Sequence, residues 1–410
     1  RQDNDDNKPV ILDYSSNEIE NKFRFENTTT KNGFKINSGV NLETATYTNS
    51  TYNQITTPAG ISIINFSSEF TMVKYGIFTQ ISKGILKEKV QLSFGLRTDG
   101  NSYSSTMSNP LTQLSPRLSA SYRFAERWSL NANVGRFNQL PAYTVMGYKQ
   151  GDDFVNKENL KYIQANHFVA GIEHKTKFDT RITVEGFYKL YENYPFLTRD
   201  SITLANLGSD FGVIGNEPAI SQSQGRSYGL EVFAQQRMTK GFFGILAYTF
   251  VRSEFQDKDD NYLASAWDSR HIVNLTLGKK FKRNWQLGIR GRFSGGAPYT
   301  PIDMEQSALV SNWNINRRGV LDFNQLNSQR LNSFHGVDLR IDKEYFFDKW
   351  SLNIYFDVQN VYNFQAQQSP YVDLTYNDNG EAIIENPNDP TDEQKYQLKT
   401  INDFSGTVLP

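Results

Sequence analysis

The sequence predicts an all-β fold, a transmembrane antiparallel β-barrel with about 14 strands in view. Three observations predict it. Apolar and polar residues alternate with a period of two over long segments, the mark of strands with one apolar and one polar face. Those segments are roughly twice the five or six residues usual for strands of soluble proteins. Short turns alternate with long loops, an asymmetry that barrels of an outer membrane share.

The composition supports this reading by exclusion. Hydrophobic residues make up 38% of the 410, too few for a bundle of membrane helices. No stretch approaches the ~20 apolar residues that a spanning helix requires. A barrel escapes that test, because only every second strand residue faces lipid. Aromatic residues reach 14%, which suits strands and membrane interfaces. There is no cysteine, so disulfide frameworks and thiolate chemistry are excluded. The formal net charge is -1 and no basic tract points to nucleic acid.

Seven hairpins follow in order. The first joins Ile19–Thr29 to Phe34–Thr48 through Asn32-Gly33, a pair suited to a turn with two positive φ angles. A loop rich in Thr, Asn, Pro and Gly is expected near 49–67. The second hairpin joins Ser68–Ser82 to Lys89–Thr98, where Leu92, Phe94 and Leu96 oppose Gln91, Ser93 and Arg97. A loop near 99–114 leads to the third, Ser115–Phe124 and Trp128–Phe137, turning at Ala125-Glu126-Arg127. A loop near 138–160 leads to the fourth, Lys161–Lys175 and Asp179–Tyr194.

The fifth hairpin, Arg226–Met238 and Gly241–Phe255, lies between loops near 195–225 and 256–268. The sixth joins Ser269–Phe281 to Trp285–Ser294 and precedes a loop near 295–333. The seventh is the clearest. Val337, Leu339 and Ile341 oppose Asp338, Arg340 and Asp342, and Leu352, Ile354, Phe356 and Val358 oppose Ser351, Asn353, Tyr355 and Asp357. Its second strand is expected over Trp350–Asn363, and its short turn carries Tyr345, Phe346, Phe347 and Trp350. A polar tail over 365–410 holds a turn signal at Asn379-Gly380. Aromatics near the short turns, among them Phe124, Trp128, Phe178, Phe281 and Trp285, suit an interfacial girdle.

The strand directions carry a further expectation. The first strand runs toward a short turn and the last leaves one, so both ends lie on the long-loop side. A complete outer-membrane barrel begins and ends on the short-turn side. The chain is therefore expected to be a barrel segment with strands missing at each end, and its opening RQDNDDNKPV has neither an initiator methionine nor a signal peptide's apolar core.

No catalytic constellation is present, so no enzyme, cofactor or metal is expected. There is no G-x-S-x-G context, and His167, His174, His271 and His335 are scattered without a helical zinc pair. Asp257, Asp259 and Asn261 start like a calcium loop, but Tyr262 stands where glycine is needed and no acid closes it. GRSYG and FSGGAP lack the Lys-Ser/Thr ending of phosphate loops. The candidate solute-binding residues are loop aromatics and cations: Tyr143, Tyr148, Trp267, Tyr299, Trp313, Arg317, Arg318 and Arg330. Rings can stack on sugar or catecholate rings, and guanidinium groups can pair with carboxylates or an anionic iron chelate. The competing reading is packing within the loops.

Several stretches, taken in order, resemble TonB-dependent outer-membrane receptors in their C-terminal part, especially those of Bacteroidetes-type bacteria. They are LSPRLSASYRF (114–124), NLKYIQANHFVAGIEH (159–174), GRSYGLEVFAQQ (225–236), WDSRHIVNLTLGKKF (267–281), FSGGAPYTP (293–301), and VDLRIDKEYFF with DVQNVYNF (337–347 and 357–364). The resemblance implies a barrel of about 22 strands filled by an N-terminal plug, of which this chain supplies roughly the eighth to the twenty-first. SGTVLP at the end resembles the approach to a final strand.

It also implies a place in the outer membrane of a Gram-negative bacterium. The function implied is TonB-dependent uptake of a large, scarce solute such as an iron chelate. The partners implied are outer-membrane lipid, the plug and missing strands, the TonB system, and a surface lipoprotein or larger envelope complex. On this reading the lumen-facing Arg117, Arg123, Glu185, Lys189, Arg290, Arg292, Asp338 and Arg340 contact plug and water. Two alternatives stay open: a receptor-like barrel serving as a structural subunit, and a passive porin-type channel. The DxNGDGxID type of motif found in glycan importers is not present.

Overall fold

The computed structural model describes residues 10–57, 60–207, 214–388, 394–402 and 404–405. Its main sheet holds fourteen long antiparallel strands, each paired with the next in sequence. They are β1 (Leu12–Lys31), β2 (Phe34–Thr57), β3 (Gly60–Ile85), β4 (Val90–Asn101), β5 (Ser115–Ala125), β6 (Trp128–Gln139) and β7 (Ile163–Lys175). The path continues through β8 (Thr180–Leu197), β9 (Ala219–Thr239), β10 (Phe242–Gln256), β11 (Arg270–Lys280), β12 (Trp285–Ser294), β13 (Phe334–Phe346) and β14 (Ser351–Val358). Among the described residues, β1 and β14 are its two edges.

The period-two pattern becomes two faces. Phe25, Val40 and Ile77 share one rung of β1–β3 and are 59%, 43% and 58% exposed. Such a continuous apolar face is untenable in water and matches the lipid side of a barrel. The opposite face carries Glu20, Glu43 and Lys74, the last two directly paired. Short turns close one end. Asn32 and Gly33 adopt φ of 52° and 76°, as a two-residue hairpin turn requires. At the β13–β14 turn, Phe347 stacks on Trp350 with centroids 4.0 Å apart.

All seven hairpins occur in the expected order, with differences at the long-loop end, where β1 already starts at Leu12 rather than Ile19. The segment near 49–67, expected as a loop, is an unbroken ladder from Asn49↔Ser68 to Thr57↔Gly60. The Asn49 side-chain oxygen accepts the Ser68 backbone N–H at 3.0 Å and its hydroxyl at 2.7 Å. The β2 side of this ladder, residues 49–57, is rich in Thr and Asn and lacks the apolar alternation that marks a strand. Likewise β8 and β9 stay paired to Leu197↔Ala219, seven residues beyond the expected start at Arg226.

Conversely, β14 stops at Val358 rather than Asn363. Asn360 and Asn363 turn left-handed at φ 49° and 53°, and Asp338 accepts the Asn360 N–H at 2.9 Å.

The buried cores lie among the loops. Tyr47, Phe70 and Met72, inward-facing on β2 and β3, pack with Tyr103, Met107, Tyr143, Val145, Met146 and Leu160 from two loops. A second cluster joins Trp313 to Val372 and Leu374 of the tail, where Tyr371–Leu374 pairs with Leu398–Ile401. The helix carrying Trp313, Val310–Asn316, hangs between β12 and β13 yet packs against β2. The sheet therefore curves enough to bring a late loop over an early strand.

Candidate solute-facing site

Three early strands position a charged cluster on the inward face. The Lys74 ammonium lies 2.7 Å from Glu20 Oε1 and 2.8 Å from Glu43 Oε2. It donates to the Tyr143 hydroxyl at 3.0 Å, and that hydroxyl donates to Glu20 at 2.6 Å. Tyr143 opens the short helix Tyr143–Met146, all four residues of which are buried. Its ring meets Phe70 edge-on at 6.1 Å. The loop over 140–162 is thus folded inward, held by apolar packing at its tip and by two carboxylates and a cation beneath.

Further contacts fix this inward loop. Asn156 donates to the Val145 carbonyl at 2.8 Å and accepts the Ala219 N–H at 2.7 Å. The Tyr103 hydroxyl donates to the Met146 carbonyl. Beside the loop, Arg97 grips Asp99 with two hydrogen bonds of 2.7 and 2.6 Å. Together these strands and the loop border an open cavity of about 1210 Å³, lined among others by Glu20, Glu43, Lys74, Arg97, Asp99, Arg117 and Tyr143. Such a space suits a large solute with both charged and ring-bearing parts.

A second constellation surrounds Asp268, which is fully buried in the β10–β11 connection. Its carboxylate accepts the Ser253 N–H at 2.8 Å, Arg252 at 3.2 Å and the Arg330 guanidinium. Arg330 also donates to the Gly296 carbonyl at 3.0 Å. The two-residue strands Pro298–Tyr299 and Gln329–Arg330 pair with each other.

The eight candidates therefore divide. Tyr143, Tyr148 and Trp313 are buried in loop packing, Tyr148 against the edge of Phe66 at 5.4 Å. Arg330 is engaged with Asp268, and Tyr299 is half-buried beside it. Trp267 is 45% exposed next to Asp268. Arg317 and Arg318 are exposed at the end of the Trp313 helix, which Arg317 closes at φ 51°. Tyr299 and Arg330 come together on paired two-residue strands, with Trp267 one residue from the Asp268 that Arg330 meets, whereas Tyr143 and Tyr148 belong to the inward loop.

The sequence reading missed Glu20, Glu43, Asp99 and Asp268. The first three had a usable signal, since they fall in phase with the inward face of their strands. Asp268 had none, because its burial depends on a loop that returns 62 residues later. The four histidines sit apart: His167 against Phe137, His174 against Trp128, His271 on the Tyr248 hydroxyl and His335 on that of Tyr362. Asp257 caps its own turn, accepting the N–H groups of Asp259 and Asn261 at 2.9 and 2.8 Å.

The family described as TonB dependent receptor-like, beta-barrel, matches residues 1–361. No curated protein matches the chain. The ferripyoverdine receptor of the Pseudomonas aeruginosa outer membrane superposes with a TM-score of 0.61 at 12% identity, covering 87% of this chain and 46% of that one. The ferric-catecholate import receptor Fiu from K12 E. coli gives 0.57 at 13%, covering 96% and 54%. The copper transporter OprC gives 0.58 at 14%, covering 87% and 53%.

At these identities the likeness establishes the fold, and the chain spans about half the length of these receptors. The family and its structural relatives are transport receptors rather than enzymes. The chain belongs to the TonB-dependent receptor family, and its strands are those of a β-barrel in the outer membrane of a Gram-negative bacterium.

Proposed function

We propose that this chain is the solute-facing barrel wall of a receptor that imports a large, scarce solute, with an iron chelate as the leading class. The observation that carries this reading is the inward loop, fastened through Tyr143 to Glu20 and Lys74 above a cavity of about 1210 Å³. A loop fixed over a cavity of this size gives a receptor a shaped mouth for a large solute. The names of the structural relatives, two ferric-chelate receptors and a copper transporter, favour a metal-bearing solute. Import would draw on a plug inside the barrel and on energy delivered through TonB. Trp267, Arg317 and Arg318 are the proposed first contacts, since they combine exposure with ring or guanidinium chemistry.

The test is uptake of radioactive iron, supplied as a panel of chelates, by cells whose sole receptor is the full-length protein. Uptake of at least one chelate that stops when TonB is deleted is the expected result. Uptake that persists without TonB would point to a passive channel. No uptake of any chelate, with the protein held in a stable envelope complex, would favour a structural subunit.

A further inference from the structure

Below the cavity mouth, one rung of the inward face carries cations that no carboxylate holds. Arg117 on β5 pairs with Gly135 on β6, Gly135 with His167 on β7, and His167 with Lys189 on β8. Among the described residues, neither Arg117 nor Lys189 has an ion-pair or hydrogen-bond partner. Each is backed by an aromatic ring instead. The Arg117 guanidinium lies 4.2 Å from the Phe137 centroid, and the Lys189 ammonium 5.2 Å from that of Phe187. Phe137 in turn packs on His167 at 4.5 Å.

The nearest acid on the Arg117 side, Asp99, is already gripped by Arg97. An aromatic ring steadies a cation without neutralising it, so the outward side of each cation keeps its capacity for an anion.

Glycine shapes the row. A Cβ at Gly135 would meet Arg117 Cγ at 3.1 Å, so the arginine leans across a position that any side chain would crowd. That lean carries its guanidinium one strand closer to His167. Strands lie about 4.8 Å apart, so three gaps set the Arg117 and Lys189 backbones about 14 Å apart; the lean of Arg117 removes about one gap, and both long side chains can swing toward an anion with several charges held between them. The row lies toward the loop end of β5 and β7, two residues inside the start of β5 at Ser115 and four inside that of β7 at Ile163, and nearer the middle of β6 and β8. Arg117 itself lines the cavity. An entering solute therefore meets the Arg117 end of the row first.

We propose that Arg117, His167 and Lys189 form a site for a polycarboxylate-type anion just beneath the mouth. This rests on the reading of the chain as a solute receptor and narrows it to solutes with anionic groups.

The test uses the full-length receptor in detergent, with citrate as the probe, and calorimetric titration as the readout. Wild type should bind citrate, more weakly as salt rises. R117Q/K189Q should lose about tenfold in affinity, whereas R117K/K189R, which keeps both charges, should retain most of it. Thermal unfolding is followed in the same variants and should not move.

Citrate binding that is absent in wild type, or unchanged in R117Q/K189Q, overturns the proposal. So does a lowered unfolding midpoint without citrate binding, which would assign the row to a contact within the receptor. TonB-dependent uptake by wild type separates the two levels. If it persists while citrate binding fails, the row is wrong and the receptor reading stands; if it is missing, the receptor reading itself falls.

Discussion

Arg330 and Asp268 stand 62 residues apart in the chain and meet in an ion pair whose carboxylate is fully buried. The pair ties the loop between β12 and β13 to the connection between β10 and β11. Asn327 adds to the tie, donating to the carbonyls of Asn206 and Ala264 at 3.0 and 2.9 Å. Three separate loops are thus fastened to one another at the open end of the wall. A long loop held at one interior point is a shorter loop on either side, with less entropy to lose when a solute orders it.

Arg330→Met tests that tie. The methionine keeps most of the apolar stem but removes every donor. Asp268 retains Arg252 and the Ser253 N–H, so the cost is that of a partly unsatisfied carboxylate, about 1–3 kcal/mol. The expected outcome is faster hydrogen exchange across 296–303 and 320–330, with β10 and β11 unchanged. Identical exchange in both proteins would mean that Arg330 does not fasten the loop.

Glu217 gives the open end a pH dependence. It lies in the β8–β9 connection, with Arg199 at 3.1 Å and the N–H groups of Arg199 and Asp200 donating at 3.2 Å. Burial, and then the charge of Asp200, push its carboxyl up to about 7 against the pull of Arg199. A folded value above the ordinary 4.5 means that the folded loop favours the protonated form. The stability this contributes is full below about pH 4.5 and is lost as pH rises through about 7. Exchange at 198–203 should therefore accelerate between about pH 5 and pH 8, beyond the intrinsic rate change. Glu217→Gln should abolish that extra acceleration, and a variant that keeps it would discount Glu217.

The contrast between Tyr143 and Lys74 separates packing from charge in the inward loop. Tyr143→Phe keeps the ring against Phe70 and loses one hydroxyl, so about 1 kcal/mol is expected. Lys74→Met leaves Glu43 and Glu20 without their shared cation, though Glu20 keeps Lys22, and in this part-exposed cluster the loss should cost about 1.5–3 kcal/mol. Limited proteolysis within 140–162 is the readout. It should rise slightly for the first variant and strongly for the second. The reverse order would mean that the hydroxyl, not the ammonium, holds the loop.

The wall was readable in the sequence because lipid on one side and a polar lumen on the other impose a strict alternation. Leu352, Ile354 and Phe356 against Ser351, Asn353 and Tyr355 leave no other periodicity to choose. Where strands rise beyond the lipid that constraint lapses, so the Thr- and Asn-rich ladder over 49–57 looked like a loop. The loop cores were harder still. Tyr47, Tyr103 and Tyr143 come from distant segments and have no shared period, so their meeting depends on tertiary closure alone. The aromatics taken as solute contacts show the same limit. A tyrosine that binds a solute and one that packs a loop look alike in sequence, and burial separates Tyr148 and Trp313 from Trp267 only in three dimensions.

Two adjacent residues of β6 test the lipid-facing assignment directly. Val134 shares its rung with Leu118 and Phe168, and the three are 41%, 49% and 47% exposed. Asn133 shares the next rung with Ser119 and Val169 and points to the other face. Both lie near the middle of a twelve-residue strand, hence near the bilayer midplane. An arginine at Val134 must sit in hydrocarbon or drag water with it, at a cost of about 2–4 kcal/mol at that depth. An arginine at Asn133 enters a polar lumen and should cost little. Urea unfolding of the full-length receptor in lipid vesicles should separate Val134→Arg from Asn133→Arg by that margin. Equal stabilities would mean that the apolar face does not meet lipid, and the barrel assignment would lose its physical basis.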